Sequence, residues 1–394
     1  MFQWELFDMI QKYFCQQYNI KRYQAAVYTS MQMRKLFALL LLACLALPLY
    51  ADPTTFANIE KSSPIILGYY PSWRAKYLPP ANVQYEYFNY VTQAFFPTDA
   101  QGNMSSDAKF DNATFVTTAH QTGTKVLLSL GGGSNGKAFA EMAANDAARH
   151  RFLREVLAFA KQYNYDGVDI DWEFPKKGQE ASLVQFVKEL HSALQAWRKD
   201  AVITMAVPAA YWSGQYFDVP QLVPYIKYWN VMSYDFHGDW GVAGYVSPLF
   251  PTTSNPVDGD KYNLQYSLNY WLQRGVPKAN ILMGIPCYGR GFATKSWGTK
   301  TGETPLYKAL GYRQILPLLD TGWEKHWDDE AKVPWLGLPG TDQRISYEDP
   351  QSVQLKAQWA KEQGIGGVFF WEISQDYLNG DNYLVKEAWE ALNQ

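Results

Sequence analysis

The sequence has little cysteine and no surplus of basic charge. Its 394 residues include three cysteines, and 35 Lys and Arg stand against 38 Asp and Glu, a formal net charge of −3. Without a basic surplus, we expect neither nucleic acid nor anionic lipid as a partner. The five histidines are scattered, and no HExxH pattern or His/Cys cluster occurs. We therefore predict no metal and no other cofactor.

Long apolar runs are also missing. The run Leu36–Leu47 has 12 residues, which is short of the roughly 20 that span a bilayer. Arg34 and Lys35 precede it and Ala51 follows it, which is the pattern of a secretory signal peptide. We therefore expect residues 31–51 to direct secretion to the medium or the periplasm, with cleavage after Ala51. The mature form is expected to be a monomer that is not bound to a membrane.

The cleavage hypothesis also bears on the start of the chain and on its cysteines. The residues upstream of Met31 do not fit the signal pattern, so Met31 or Met33 is a more natural start, and residues 1–51 would be absent from the mature protein. A rival interpretation is a lipoprotein box that ends at Cys44, whose thiol would be lipidated. Cleavage would leave Cys287 as the remaining cysteine, and its apolar surroundings predict a buried, unreactive thiol.

Apolar and aromatic side chains are plentiful. Hydrophobic residues make up 47% and aromatic residues 16% of the chain, which is enough for a large core. Aromatic rings also stack on the apolar faces of sugars, so the composition leaves core packing and carbohydrate binding both open. No low-complexity tract, internal repeat or Ser/Thr/Pro-rich linker divides the chain.

Short β-branched runs alternate with amphipathic stretches from residue 64 onward. Eight runs are predicted as strands: Ile65–Tyr70, Phe88–Phe95, Val126–Leu130, Gly167–Asp171, Val202–Val207, Trp229–Ser233, Ile281–Pro286 and Gly367–Trp371. The clearest helical patterns are Phe152–Tyr163, Leu183–Trp197, Tyr262–Arg274 and Ser352–Gln363, the last preceded by a cap at Asp349-Pro350. Eight strands, each followed by a helix, predict a (β/α)₈ barrel over residues 52–394.

One connection is much longer than the others. Residues 294–345 contain four tryptophans among Gly and Pro and show little helical periodicity. We interpret this segment as a small domain inserted between the seventh strand and its helix.

The segment Asp166–Glu173, DGVDIDWE, carries the chemistry. Asp169, Asp171 and Glu173 occupy alternate positions of the fourth strand, so their side chains share one face at about 6.6 Å per two residues. The intervening apolar side chains then face the covering helices: Val168, Ile170 and Trp172. Three carboxylates that point into one space repel each other, so some of them must hold a proton at neutral pH. A carboxylic acid kept in that form is ready to donate its proton.

Two other interpretations of these carboxylates stay open at this point. Clustered carboxylates bind Ca²⁺, although the EF-hand pattern needs a loop with a Gly turn rather than a strand. They could also line a solvated edge, although the flanking apolar residues favour burial. We favour acid–base catalysis because Glu173 is nearest the carboxyl end of the strand, where barrel enzymes place their sites.

The motif resembles the DxxDxDxE signature of the family 18 glycoside hydrolases of chitinase type. The resemblance continues along residues 64 to 392. It includes Leu67–Tyr70 with Trp73, the SxGG-like Ser129–Gly132, the MxYD-like Met232–Asp235, Pro286–Phe292, and the run from Ser346–Pro350 through Gly366–Glu372. Six motifs in order make the resemblance specific. It implies that the long connection is the α+β insertion domain of such enzymes, and that chitin and chito-oligosaccharides are the partners.

The resemblance implies catalysis assisted by the substrate. Glu173 would protonate the glycosidic oxygen, and the 2-acetamido carbonyl of the substrate would be the nucleophile. Asp171 would accept the acetamido N–H, Asp169 would share a proton with Asp171, and Tyr234 would hydrogen-bond the acetamido carbonyl.

Other residues would bind the sugar. Asp235 would hold the distorted ring over Trp371, with Tyr69 and Ser129 as supporting hydrogen-bonding groups. The substrate-binding group also includes Met232, Trp240 and Arg290. Trp240 is expected either to stack a sugar or to cover a loop, and Arg290 to anchor a loop or the insertion.

One position departs from the family pattern. Many relatives carry Trp directly after SxGG, where it stacks a sugar on the leaving-group side, whereas this chain has Gly133. Binding on that side is therefore in question, or depends on another aromatic side chain such as Trp240. Two alternatives to a chitinase also stay open: a chitin-binding lectin without activity, and an endo-β-N-acetylglucosaminidase that acts on N-glycans or peptidoglycan. The presence of Glu173 counts against the lectin.

Overall fold

The computed structural model describes residues 64–254, 261–301 and 309–393. The predicted signal segment 31–51 lies outside the described residues, as does Cys44. Within the described ranges, no helix combines the length and the apolar character needed to cross a membrane. Cys287 is buried, as the sequence predicts.

The strands form a closed barrel and a separate antiparallel sheet. In chain order they are β1 (Ile65–Pro71), β2 (Tyr90–Phe96), β3 (Lys125–Gly131), β4 (Gly167–Asp171), β5 (Val202–Pro208), β6 (Tyr228–Met232), β7 (Ile281–Pro286), β8 (Tyr288–Ala293), β9 (Leu310–Gly311), β10 (Glu324–Asp328), β11 (Val333–Gly337), β12 (Gln343–Ser346), β13 (Gly367–Trp371), β14 (Tyr377–Leu378) and β15 (Asp381–Asn382). Strands β1 to β7 and β13 close the barrel in the order β1-β13-β7-β6-β5-β4-β3-β2, with parallel pairing throughout. This confirms the predicted (β/α)₈ fold.

Helices connect most of the barrel strands. They are α1 (Asn112–Gln121), α2 (Gly136–Ala144), α3 (Asp146–Tyr163), α4 (Glu180–Trp197), α5 (Tyr211–Gly214), α6 (Val219–Leu222), α7 (Leu264–Gln273), α8 (Tyr312–Ile315), α9 (Pro350–Gln363) and α10 (Tyr383–Asn393). The predicted cap is confirmed, because the Asp349 side chain accepts a hydrogen bond from the Ser352 N–H at 2.8 Å and Pro350 opens α9. Such a cap contributes about 1 kcal/mol to helix stability.

The expectation of a helix after every strand is wrong between β1 and β2. Residues 72–89 contain three 3₁₀ turns and no α-helix. Pro79 and Pro80 explain the difference, because each lacks a backbone N–H and a proline disfavours the helical conformation of the residue before it.

Side chains of β4 alternate between the inside of the barrel and the helical layer. Val168, Ile170 and Trp172 belong to the large core between barrel and helices, where the Trp172 ring lies 5.2 Å from that of Phe139 on α2. A smaller core that includes Tyr69 fills the barrel interior. The carboxylates of β4 therefore face that interior, as the period of two requires.

The insertion contains a five-stranded antiparallel sheet of order β10-β11-β12-β8-β9, between β7 and α9. The sheet runs from Tyr288 to Ser346 and extends beyond the predicted range of 294–345 at both ends. Strand β8 has the sequence YGRGFA, and its two glycines hide the alternation that marks a strand.

A buried ion pair ties the exit of the insertion to the barrel. The Lys356 ammonium on α9 is buried and donates to the Glu348 carboxylate, to the Ser247 carbonyl at 2.5 Å and to its Oγ at 3.2 Å. Ser247 Oγ in turn donates to the Ser233 carbonyl at 2.8 Å. Removing one partner of such a pair typically costs about 3–5 kcal/mol, because a charge is left buried alone. The pair therefore fixes the loop that follows β6 and begins at Ser233.

Candidate active site

Three acidic side chains line the carboxyl end of β4. Asp169 and Asp171 are buried inside the barrel, and Glu173, two residues beyond the strand, is half-buried. The strand period and barrel closure place them together, as the sequence predicts.

Asp169 accepts four hydrogen bonds. Tyr69 Oη and Ser129 Oγ donate to its Oδ2 at 3.0 and 2.7 Å. Thr204 Oγ1 and Asn230 Nδ2 donate to its Oδ1 at 2.6 and 3.2 Å. Burial raises the pKa of Asp169, whereas these four donors oppose the rise. Four donors to its two oxygens therefore offset part of the cost of burying this carboxylate.

Thr204 and Asn230 were not predicted from the sequence. The register of the barrel pairs Asp169 directly with Ser129 on β3 and with Thr204 on β5. Asn230 donates a second bond to Tyr69 Oη at 2.9 Å. The sequence did contain a signal for them. Thr204 is a single polar residue in the apolar strand VITMAVP, and Asn230 is a single amide in the strand YWNVM.

Asp171 differs sharply from Asp169. Its Oδ1 atom is buried and has no hydrogen-bond partner among the described residues. Burial, followed by the charges of Glu173 and Asp169, raises the pKa of Asp171 well above its usual range. Burial and the neighbouring charges therefore favour the protonated form of Asp171, and its free oxygen is able to pair with a polar group of a ligand.

Glu173 is enclosed by the glycine-rich loop after β3. Burial first, and the charge of Asp235 second, raise the pKa of Glu173 to about 6. A Cβ atom added to Gly133 would lie 3.2 Å from Glu173 Oε1, and one added to Gly136 would lie 2.5 Å from the Glu173 carbonyl oxygen. The loop thus contacts both the side chain and the backbone of Glu173, and Gly133 leaves no side chain on that flank of the acid.

The loop after β6 supplies Tyr234 and Asp235. Burial and the surrounding carboxylates, Asp171 first, raise the pKa of Tyr234 well above its usual range, so its hydroxyl stays a donor. A Cβ atom on Gly284 would lie 2.7 Å from the Tyr234 ring, so this glycine makes room for the ring. Asp235 adopts a left-handed φ of 55°, which turns the chain sharply after Tyr234.

Arg290 of the insertion sheet holds Asp235. Its Nε and Nη2 atoms donate to the two Asp235 carboxylate oxygens at 2.7 and 2.9 Å. The guanidinium also lies 4.8 Å from the centre of the Trp240 ring, which is 61% exposed. Two parallel bonds of this kind combine charge with fixed geometry. Arg290 therefore anchors the loop after β6, and the exposed Trp240 ring lies against Gly238 of that same loop.

An aromatic row leads away from the carboxylates. The Tyr69 ring meets that of Trp371 at 5.6 Å, Trp371 stacks on Phe95 at 5.5 Å, and Phe95 lies 5.8 Å from Trp73. Met232 packs against the same interior core as Trp371. Contacts thus link the side chains that the sequence singled out into one region.

In residues 64–254, 261–301 and 309–393, no group of three or more His, Cys, Asp or Glu side chains has the arrangement of a metal site.

The match to a family model decides the affiliation of this chain. Residues 65–376 match the model described as glycosyl hydrolases family 18. The chain belongs to glycosyl hydrolase family 18. The family assignment agrees with the barrel and with the six sequence motifs described above.

Two animal proteins are among the named relatives of this family 18 chain. It is 33% identical over 313 residues to a probable endochitinase of Caenorhabditis elegans, covering 74% of this chain and 50% of that protein. It is 31% identical over 300 residues to an endochitinase of Manduca sexta, covering 69% and 54%. The chain therefore spans about half the length of these curated relatives. The crystal structure of an immunomodulatory active chitinase from Trichuris suis has a TM-score of 0.77 and 27% identity, covering 84% of this chain and 100% of that one.

The substitution Asp235→Asn is expected to move the alkaline limb of kcat/KM to lower pH. For the unchanged protein the limb is expected near the Glu173 pKa of about 6, because only the protonated form donates a proton. Removing the Asp235 charge removes one cause of that raised pKa. Profiles of rate against pH on a soluble N-acetylglucosamine oligomer measure the shift. Asp320→Asn, which removes an exposed carboxylate of the insertion, is the control, and equal limbs in both variants would contradict the assignment.

Proposed function

We propose that this chain is a chitinase that hydrolyses β-1,4-linked N-acetylglucosamine chains by a retaining mechanism assisted by the substrate. One observation carries the proposal: the saturated carboxylate of Asp169 lies beside Asp171, whose Oδ1 is buried without a partner, and beside Glu173, whose pKa is raised to about 6. Family membership and the names of the relatives support the same substrate class.

Glu173 acts as the general acid in the first step. Its proton moves to the glycosidic oxygen while the bond from that oxygen to the anomeric carbon breaks. Its raised pKa keeps a useful fraction protonated near neutrality, and proton transfer of this kind contributes about 10²–10⁴-fold.

The nucleophile is the substrate's own acetamido oxygen, which bonds to the anomeric carbon and forms a cyclic oxazolinium ion. The proton of Asp171 passes to Asp169 as one of the four donors to Asp169 turns away, and the ionised Asp171 then accepts the acetamido N–H and stabilises the positive charge. Tyr234 donates its hydroxyl hydrogen bond to the acetamido oxygen. An internal nucleophile of this kind has a high effective concentration, which lowers the activation free energy by about 7–11 kcal/mol.

Water completes the reaction. Glu173, now ionised, takes a proton from a water molecule. The oxygen of that water attacks the anomeric carbon and reopens the oxazolinium ring. Both displacements occur with inversion, so the product keeps the β configuration. Trp371 forms the floor under the reacting sugar, and the Arg290–Asp235 pair holds the loop against it.

The two other activities that the sequence leaves open become outcomes of assays. A lectin would bind chitin oligomers without cleaving them, and an endo-β-N-acetylglucosaminidase would cleave a high-mannose glycopeptide in preference to chitin hexamer.

The substitution Glu173→Gln is expected to lower kcat on chitin hexamer by at least about 10²-fold and to leave oligosaccharide binding in place. The amide keeps the shape of the side chain but has no proton to give. Glu141→Gln, on the surface of α2, is the matched control and should keep its activity. Kinetics and titration calorimetry measure the two properties. A Glu173→Gln variant that keeps more than a tenth of the activity would exclude Glu173 as the acid.

The acetamido group on the sugar at the new reducing end is expected to be essential. Without its carbonyl, no internal group traps the cation and the advantage in effective concentration is lost. Partially acetylated chitosan should therefore give products whose new reducing ends are all N-acetylglucosamine, which mass spectrometry identifies. A substantial share of glucosamine ends would mean that a protein carboxylate is the nucleophile.

We also propose that residues 31–51 export the protein and are removed after Ala51. The short apolar run behind Arg34 and Lys35 supports this. Amino-terminal sequencing of the exported protein is expected to begin at Asp52, and a lipidated Cys44 at the amino terminus would favour the lipoprotein alternative.

A further inference from the structure

Three basic side chains surround one exposed tyrosine next to the aromatic row. The guanidinium carbon of Arg313 lies 4.0 Å from the centre of the Tyr77 ring, Lys76 Nζ lies at 4.6 Å and the guanidinium carbon of Arg74 at 5.7 Å. Tyr77 is 38% exposed. We call Arg74, Lys76, Tyr77 and Arg313 the cationic rim. Arg313 comes from α8 of the insertion and the other three from the loop after β1, so two separate segments concentrate positive charge here.

The cationic rim has few negative partners. Among the described residues, Lys76 and Arg313 have no carboxylate within 4.0 Å, and Arg74 has one, Glu372 at 3.7 Å. The Glu372 carboxylate is buried and already accepts from Ser374 N and Oγ at 2.9 and 3.0 Å. Like charges this close repel each other, and their N–H groups retain donor capacity. An anion placed at the rim would relieve the repulsion and use those donors.

The position of the rim links it to the sugar path. Arg74 directly follows Trp73, the outer ring of the aromatic row, and its partner Glu372 directly follows Trp371. Trp73 stands on the same loop as Arg74, Lys76 and Tyr77, so a glycan that extends along the row from Trp371 past Trp73 would reach the loop that carries most of the rim. An acidic group on such a chain would meet the guanidinium edges, which match carboxylate geometry.

We propose that the cationic rim binds a carboxylate carried by a sugar of the substrate chain, away from the bond that is cleaved. The ligand class is an acidic β-1,4-linked N-acetylhexosamine chain, in which the carboxylate belongs either to a lactyl ether, as in muramic acid, or to an oxidised C6 carbon. This rests on the proposed function, because the rim is defined relative to the row that leads from Trp371.

The experiment compares neutral chitin oligomers with oligomers of the same length in which one sugar carries a C6 carboxylate, and with muramic-acid-containing oligomers as a second arm. The full chain should show a higher kcat/KM on at least one acidic oligomer than on the neutral one at low salt. The double variant Lys76→Ala/Arg313→Ala should lower that acidic-to-neutral ratio by about three- to tenfold, as expected for two exposed charge contacts. Salt should lower the ratio in the same direction.

The control removes two exposed charges from the outer helix α3, in Arg154→Ala/Lys161→Ala, and should leave the ratio unchanged. A structural role of Arg313 would lower both rates together and leave the ratio in place, which would overturn the proposal. A ratio of one or less in the unchanged protein on both acidic oligomers would also overturn it. If neither oligomer is hydrolysed, binding of the same oligomers to the Glu173→Gln variant is measured instead. Tighter binding of the acidic oligomers that is lost in Lys76→Ala/Arg313→Ala would support carboxylate binding at the rim even if the proposed activity fails, and equal binding of acidic and neutral oligomers would overturn it.

Discussion

A buried carboxylate that is satisfied on both oxygens is the constraint on which the site depends. Donors reach Asp169 from β1, β3, β5 and β6, and only a closed barrel brings those strands around β4. The donors oppose the rise that burial causes in the pKa of Asp169, and the pKa of Asp171 is raised by burial, then by the charge of Glu173 and then by that of Asp169. Barrel closure is therefore a condition for the protonation states as well as for the positions of the acids.

The second half of the site depends on contacts from outside the barrel. Tyr234 and Asp235 stand on a loop beyond β6, outside the hydrogen-bonded pairing of the barrel strands. Arg290 of the insertion sheet holds Asp235 by two parallel bonds, and the Asp235 charge in turn contributes to the raised pKa of Glu173. The insertion thus influences the pKa of Glu173 indirectly, because its Arg290 fixes the position of the Asp235 charge.

Patterns of neighbouring residues predicted most of the strands and helices, whereas contacts between residues far apart in the sequence were missed. Short β-branched runs predicted the barrel strands, and the cap at Asp349 predicted the start of α9, because both signals lie in neighbouring residues. The prediction of a helix after β1 was wrong, because we assumed a helix after every strand although Pro79 and Pro80 disfavour one there. Thr204 and Asn230 could not be assigned, because their partner Asp169 is set by the register between distant strands. The roles of the site residues remain predictions that the motif supplies.

The buried Lys356–Glu348 pair has a consequence for how such proteins exchange parts. Its partners come from three segments: α9, the exit of the insertion, and Ser247 in the loop that continues to Ser233. If the insertion were exchanged without these segments, either the Lys356 ammonium or the Glu348 carboxylate would be left buried without its partner. An exchange that preserves the pair and its acceptors therefore has to carry the whole stretch from Ser233 to Lys356.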